Sequence, residues 1–167
     1  VTTRFGDLPL LDGQAGFNVQ NVSPSIRAVR PNEARLNPVA DPTTFSIAVT
    51  TAAEQGTIPI LTGVVGGAAS LQVTGPRGSV TLHLSAGATA ADVDTAINDT
   101  RSVTGVFTSA GAVFSEAYGS EAFVRLAQTG GTGTVNGIAP GGVVQDSGVD
   151  AVATFETASV TARGNVF

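Results

Sequence analysis

The sequence predicts an α+β fold that is mostly β, with antiparallel sheets, one principal helix and additional hairpins. Glycine occurs 21 times and proline 8 times in 167 residues, a density of turn formers that suits many short strands. Hydrophobic side chains recur at every second position in several short segments, as in half-buried strands. Only residues 89–100 combine helical periodicity with a helix-start signal.

The strand predictions begin where alternation becomes regular. Apolar residues alternate with polar or small ones over residues 45–49, and residues 57–62 are expected to form the return strand of that hairpin. A second hairpin spans residues 71–84, in which Gly75-Pro76-Arg77-Gly78 supplies the turn residues. Its second strand should turn Leu82 and Leu84 toward the core.

The principal helix is predicted from local signals. Thr89 is a suitable N-cap, and Asp92, three positions later, can complete a capping box. Ala90, Val93, Ala96 and Ile97 share one face, so Val93 and Ile97 should pack against the sheet that contains the 71–84 hairpin. With strands expected at residues 105–108 and 122–126, the unit reads β-β-α-β-β.

The remaining segments complete the predicted organisation. Residues 1–43, whose second half contains Pro24, Pro31, Pro38 and Pro42, are expected to be an irregular lead-in, and residues 44–167 the domain proper. Residues 128–142 are expected to form a loop or a bulged excursion. Residues 149–160 should contain a strand with Ala151, Ala153 and Phe155 on one face.

Composition excludes several classes of function. The net charge of −5, with eight basic residues scattered singly, provides no basic patch for nucleic acid or for an anionic membrane. No stretch approaches 18 consecutive apolar residues. Cysteine is absent, which excludes disulfides, cysteine-based metal sites and thiol nucleophiles. Nucleic acid and membrane are therefore not expected as partners.

Candidate catalytic residues are few. His83 is the only histidine, but it alternates with two core-facing leucines and should face solvent, and no Gly-x-Ser-x-Gly elbow accompanies it. The Gly131-Thr132-Gly133 segment lacks both the lysine of a phosphate-binding loop and a following helix. We therefore expect neither an enzyme nor a cofactor site.

The sequence signals for metal sites and for glycosylation sites are also weak. Asp92, Asp94 and Asp99 could suggest calcium, but the ligand spacing of a calcium loop is absent, and capping and solvation explain these acids. Asn21-Val22-Ser23 and Asn98-Asp99-Thr100 match the N-glycosylation triplet, which recurs by chance. The sequence thus predicts no catalytic, cofactor-binding or metal-binding residue.

Several motifs of the β-β-α-β-β unit together resemble a known module. They are Leu71-Gln72-Val73-Thr74-Gly75, Ala96-Ile97-Asn98, Thr104-Gly105-Val106 and Tyr118-Gly119-Ser120, in this order and spacing over about residues 69–127. The stretch resembles the flagellin hook IN motif of flagellins and filament-cap proteins. Flanking segments extend the likeness: residues 10–17 resemble the junction between a flagellin's helical shaft and its outer domain, and residues 50–55 a stretch preceding the motif.

The resemblance implies a structural protein of the bacterial flagellar filament. It implies export to the cell exterior, an outer position on the filament and a role in supporting motility, with other flagellin subunits as partners through terminal helices outside this chain. Host antibodies are a further implied partner. The isolated chain is expected to be a monomer.

Two alternatives stay open at this point. A filament-cap or hook-associated protein shares the motif but joins or caps the filament. A secreted adhesion or carbohydrate-binding domain would also suit a glycine- and threonine-rich β fold, although such sites usually expose aromatic side chains and this chain has one Tyr and no Trp.

Overall fold

The computed structural model describes residues 47–59, 62–155 and 158–166, together with the backbone of two short strands near the start of the chain. Within these residues, the strands are β1 (Arg4–Phe5), β2 (Leu8–Pro9), β3 (Ile47–Thr51), β4 (Thr57–Pro59), β5 (Val64–Val65), β6 (Ala69–Gly75), β7 (Gly78–Leu84), β8 (Val106–Ser109), β9 (Ala112–Ser115), β10 (Phe123–Gly131), β11 (Thr134–Val135), β12 (Val143–Ser147), β13 (Val152–Phe155) and β14 (Ala158–Thr161). The helices are α1 (Ala90–Asp99) and α2 (Arg101–Thr104). The predicted α+β, mostly β class is confirmed.

Two antiparallel sheets and α1 enclose the main core. The larger sheet has the order β12-β10-β6-β7, and the smaller one the order β4-β9-β8. Their inward side chains, together with three residues of the β5–β11 region, form one cluster. It consists of Ile58, Val64, Ala69, Leu71, Val73, Leu82, Leu84, Val93, Ile97, Val106, Val113, Val124, Leu126, Val135 and Ile138. The core is therefore aliphatic.

Helix α1 forms as its local signals predict. The Thr89 hydroxyl accepts a hydrogen bond from the Asp92 amide at 3.2 Å, and the Asp92 carboxylate accepts one from the Thr89 amide at 2.8 Å, which completes a capping box. Val93 and Ile97 are each 1% exposed. The predicted packing face is confirmed for these two residues, whereas Ala90 is exposed.

The 71–84 hairpin is also confirmed. Strands β6 and β7 pair from Ala69 with Leu84 to Gly75 with Gly78. Leu82 and Leu84 are buried and His83 is exposed, which is the predicted orientation of the second strand.

The predicted pairing of the strand at residues 57–62 is wrong. Strand β4 pairs with β9, and β3 pairs instead with β13. Sequence proximity favours a hairpin, but the buried Ile58 belongs with Val113 in the main core, which places β4 in the smaller sheet.

The β-β-α-β-β prediction omitted strand β9. It forms a hairpin with β8, and the connecting Ala110 and Gly111 have φ values of 49° and 79°. Two consecutive residues with positive φ fit the tight hairpin turns usually marked by Asn-Gly. Here Ala110 occupies the first position, so the usual sequence signal is missing.

A third antiparallel sheet has the order β14-β13-β3. The single strand predicted over residues 149–160 is a hairpin, because β13 pairs with β14 through Phe155 and Ala158, and residues 156–157 between them lie outside the described residues. Ala151 and Ala153 are buried as the alternation predicts, but Phe155, expected on the same face, is exposed.

Residues 128–142 form a bulged excursion, the second of the two predicted forms. The pairing of β10 with β6 shifts register between Gln128 and Gly130, and β11 then pairs with β5. Of the predicted lead-in, residues 1–43, the described part is the pairing of β1 with β2. Across the described part of the chain, none of the helices has the length and apolar character needed to span a membrane.

Candidate functional surfaces

His83 lies on the solvent-facing side of the β6–β7 hairpin. Its Nδ1 is 3.2 Å from the Ser70 Oγ, directly across the hairpin, and this is a polar pair between neighbouring strands. Among the described residues no carboxylate bonds to the His83 ring, so it lacks the acidic partner that orients the histidine of a catalytic triad. Its position is the one predicted for an ordinary surface residue.

The three helical aspartates do not converge. Asp92 is occupied by the cap, and the hydrogen bond from the Thr89 amide is the main cause that holds the Asp92 pKa below its ordinary value. Asp94 is half-buried and Asp99 is exposed. Across the described residues, no group of three acidic or histidine side chains is arranged to hold a metal ion.

Asn98, the acceptor of the second glycosylation triplet, is engaged within the fold. Its Nδ2 donates to the Thr108 Oγ1 at 2.7 Å, and its Oδ1 accepts from the Thr108 amide at 2.9 Å. The Asn98 side chain therefore links the end of α1 to strand β8 of the smaller sheet. Asn21, the first triplet's acceptor, lies outside the described residues.

The glycine-rich segment at residues 131–133 is packed against backbone. Added Cβ atoms at Gly131 and Gly133 would collide with the carbonyl oxygens of Ala68 and Gly67. The buried Gln128 side chain donates from Nε2 to the Gly133 carbonyl. The glycines therefore allow close approach of two chain segments and leave no cradle for a phosphate.

An ion-pair cluster on the surface was not predicted from the sequence. Glu116 Oε2 lies 2.7 Å from Arg77 Nη1 in a salt bridge, and Glu116 Oε1 accepts a hydrogen bond from Arg101 Nη2 at 3.2 Å. The Arg101 guanidinium also lies 4.7 Å from the centroid of the Phe107 ring. The cluster joins the hairpin turn, α2 and the end of β9, and its three charged groups are assembled from segments far apart in sequence.

A second unpredicted feature is the Asp150 junction, which joins the third sheet to the rest of the fold. Asp150 Oδ1 accepts from the amides of Ser120 at 2.9 Å and Gly164 at 2.8 Å, and Oδ2 accepts from the Ser120 Oγ at 2.6 Å. Hydrogen bonding by the Ser120 hydroxyl is the largest cause that lowers the Asp150 pKa. The neighbouring backbone bond from the Gly119 amide to the Glu54 carbonyl reinforces the same junction.

Two edge strands are wholly exposed. Every residue of β12 and of β14 is exposed, and the apolar side chains among them include Val143, Val144 and Val160 at 49%, 42% and 40% exposure. Edge strands with unprotected backbone groups are the usual places where a β protein contacts another chain.

The comparisons with known proteins add no assignment. No protein-family model, curated protein or solved structure matches the chain.

Proposed function

We propose that this chain is the outer, surface-exposed domain of a bacterial flagellin, a structural subunit of the extracellular flagellar filament that supports motility. In this proposal the chain presents surface to solvent and has no catalytic role. Its partners are other flagellin subunits, which assemble through terminal helices outside this chain.

The observation that carries the proposal is that the residues of the hook IN resemblance have connected structural roles in one unit. A Cβ on Gly75 would lie 2.5 Å from the Thr104 carbonyl oxygen, so the hairpin turn and α2 need glycine there to approach. Gly105 follows at φ 70° and ends α2 in the left-handed conformation. Gly75 in the hairpin turn is therefore packed against Thr104 and Val106 of the Thr-Gly-Val element.

The other two elements of the resemblance also have structural roles in this unit. Asn98, from the Ala-Ile-Asn element, bonds to Thr108 on β8, while Ile97 beside it enters the core. Gly119, from the Tyr-Gly-Ser element, has φ 101° and packs against Asp150 and Gly164. All the elements of the resemblance thus take part in one packed unit, and this supports the proposal of a structural module.

The exposed surface of the described residues is compatible with display. His83, the helical aspartates and the glycine-rich segment each have a structural or solvent-facing role, so no catalytic arrangement among the described residues competes with this proposal. The filament-cap alternative shares the motif, and the test below distinguishes it.

The test is immunogold electron microscopy on the organism that encodes the chain, with antibodies raised against the 167-residue protein. The proposal predicts label along the whole length of the flagellar filaments. Serum pre-adsorbed with the chain should give none, and a mutant that cannot export flagellin should lose the label. Label restricted to filament tips would indicate a cap protein, and label on the cell body alone would contradict the proposal.

A further inference from the structure

We infer that the edge strand β12 is a self-association surface, which pairs antiparallel with β12 of a second copy of this chain about a two-fold axis through Val144. The pairing depends on the surface of this chain alone and stands apart from the proposed function.

The backbone of β12 has its free polar groups on the outer edge. Gly148 donates to the Ala122 carbonyl at 2.7 Å, and the Gly142 carbonyl accepts from Gln128 at 2.9 Å, so the even-numbered residues of this strand bond toward β10. Polar groups alternate in direction along an antiparallel strand. The N–H and C=O groups of Val143 and Gln145 therefore point away from β10, and β12 pairs with no second strand among the described residues.

The side chains of β12 extend an apolar row that ends at this edge. Val80 pairs with Val73, Val73 with Leu126, and Leu126 with Val144 across the four strands of the larger sheet. Val73 and Leu126 are almost completely buried, whereas Val144 is 42% exposed. A second copy placed on the edge would continue the row and cover Val144.

The register follows from the backbone and the charges. With Val144 opposite its counterpart, Val143 faces Gln145 of the second copy, and the outward groups of these residues form four hydrogen bonds about the axis. Residues 143–145 carry no charge. The two Asp146 carboxylates then lie four residues apart along the strands, about 13 Å, so repulsion between them is weak.

Within the described residues, β12 lacks two features that often protect an edge strand. It contains no Lys or Pro, and its single charged residue, Asp146, accepts a hydrogen bond from the Thr57 amide at 2.8 Å. By contrast, the start of β7, at the other edge of the sheet, lies against α2, where the backbone amide of Arg77 donates to the Thr104 carbonyl at 3.2 Å. Strand β14 is exposed too, but its Val160 pairs with Ala153, a smaller side chain that offers less apolar surface to extend.

The size of the contact predicts its strength. A pairing of this few residues buries well under the roughly 1,200 Å² per complex that stable interfaces need. We therefore expect a dimer that dissociates in dilute solution and forms at high protein concentration.

Disulfide trapping tests the register directly, since the natural chain has no cysteine. Residues opposite each other in a non-hydrogen-bonded pair have Cα atoms about 4.5 Å apart, within the range that a disulfide spans. Under mild oxidation at high concentration, Val144→Cys should form covalent dimers at least about tenfold faster than Val103→Cys, because pairing raises the effective thiol concentration. Val103 is a matched control, at 53% exposure on α2.

A second substitution separates pairing from random collision. Gln145→Pro removes an outward N–H and leaves the bonds to β10 in place, so it should return the Val144→Cys rate to that of the control. In the chain without cysteine, sedimentation equilibrium should show a reversible dimer that Gln145→Pro and Val144→Lys abolish. Equal rates for the Val144 and Val103 variants, no effect of Gln145→Pro, or faster trapping through Val160→Cys would overturn the inference.

Discussion

Asp150 joins segments that are distant along the chain. Its carboxylate accepts hydrogen bonds from Ser120, thirty residues earlier, and from Gly164, fourteen residues later. Gly119 packs against this carboxylate with φ 101°, a conformation and a spacing that exclude a side chain. This charged group therefore helps to hold the third sheet against the unit that carries the core.

The first prediction is that Asp150→Asn reduces the loss of folding stability that the protein undergoes at acid pH. Hydrogen bonds lower the folded-state pKa of Asp150, so its contribution to stability is present above the unfolded pKa of about 4 and is lost as pH falls through the folded value. The variant should be less stable than the natural chain at pH 7 and should lose less stability on going to pH 3.

Urea unfolding at the two pH values measures this difference. Asp99→Asn, which also removes one negative charge from an exposed carboxylate at the end of α1, is the matched control. Parallel curves for the natural chain and Asp150→Asn would show that the junction does not couple folding to this carboxylate.

At the scale of elements, α1 links the two sheets of the main core. Val93 and Ile97 belong to the core cluster, and Asn98 reaches Thr108 on β8. The helix is short, so most of its stability comes from this packing and from its capping box.

The second prediction is that Ile97→Ala lowers the free energy of unfolding by about 2–5 kcal/mol, because it removes a buried aliphatic side chain and leaves a cavity. Val103→Ala, on the exposed face of α2, should change it by less than about 0.5 kcal/mol. Chemical denaturation of both variants provides the measurement, and a near-neutral Ile97→Ala would contradict the packing of α1.

The third prediction concerns the cap of the same helix. Thr89→Ala removes the hydroxyl that accepts from the Asp92 amide and should cost about 0.5–2 kcal/mol of stability. Thr95→Ala, at an exposed position within α1, is the control and should have a smaller effect, since alanine is a good helix former. Equal losses in the two variants would mean that the capping box does not stabilise the helix.

The elements that could be predicted from the sequence are those specified by nearby residues. The Thr89 cap and the Gly75 to Gly78 turn are local signals, and both hold in the structure. The partner of β4 could not be predicted, because pairing with β9 joins residues about 55 positions apart, such as Ile58 with Val113. The Asp150 junction could not be predicted either, because its hydrogen-bond partners come from separate loops.

At the scale of the whole molecule, the described residues form one main core with an attached third sheet, and neither helix is long enough to build a coiled-coil shaft. The fourth prediction is that the isolated chain is a monomer in dilute solution and forms no ordered filaments at any concentration. Sedimentation velocity and electron microscopy check both statements. Filaments grown from this chain alone would contradict the display role.

The central claim is that the chain adds surface to a flagellar filament and not the means to assemble it. The most direct test replaces residues 44–167 in the flagellin that is proposed to contain this chain by a short Gly/Ser linker and examines the cells by electron microscopy. The account predicts filaments that still grow, are thinner and are no longer labelled by antibodies against this chain. Cells that secrete the shortened subunit but grow no filaments would contradict it, because the domain would then belong to the assembly interface.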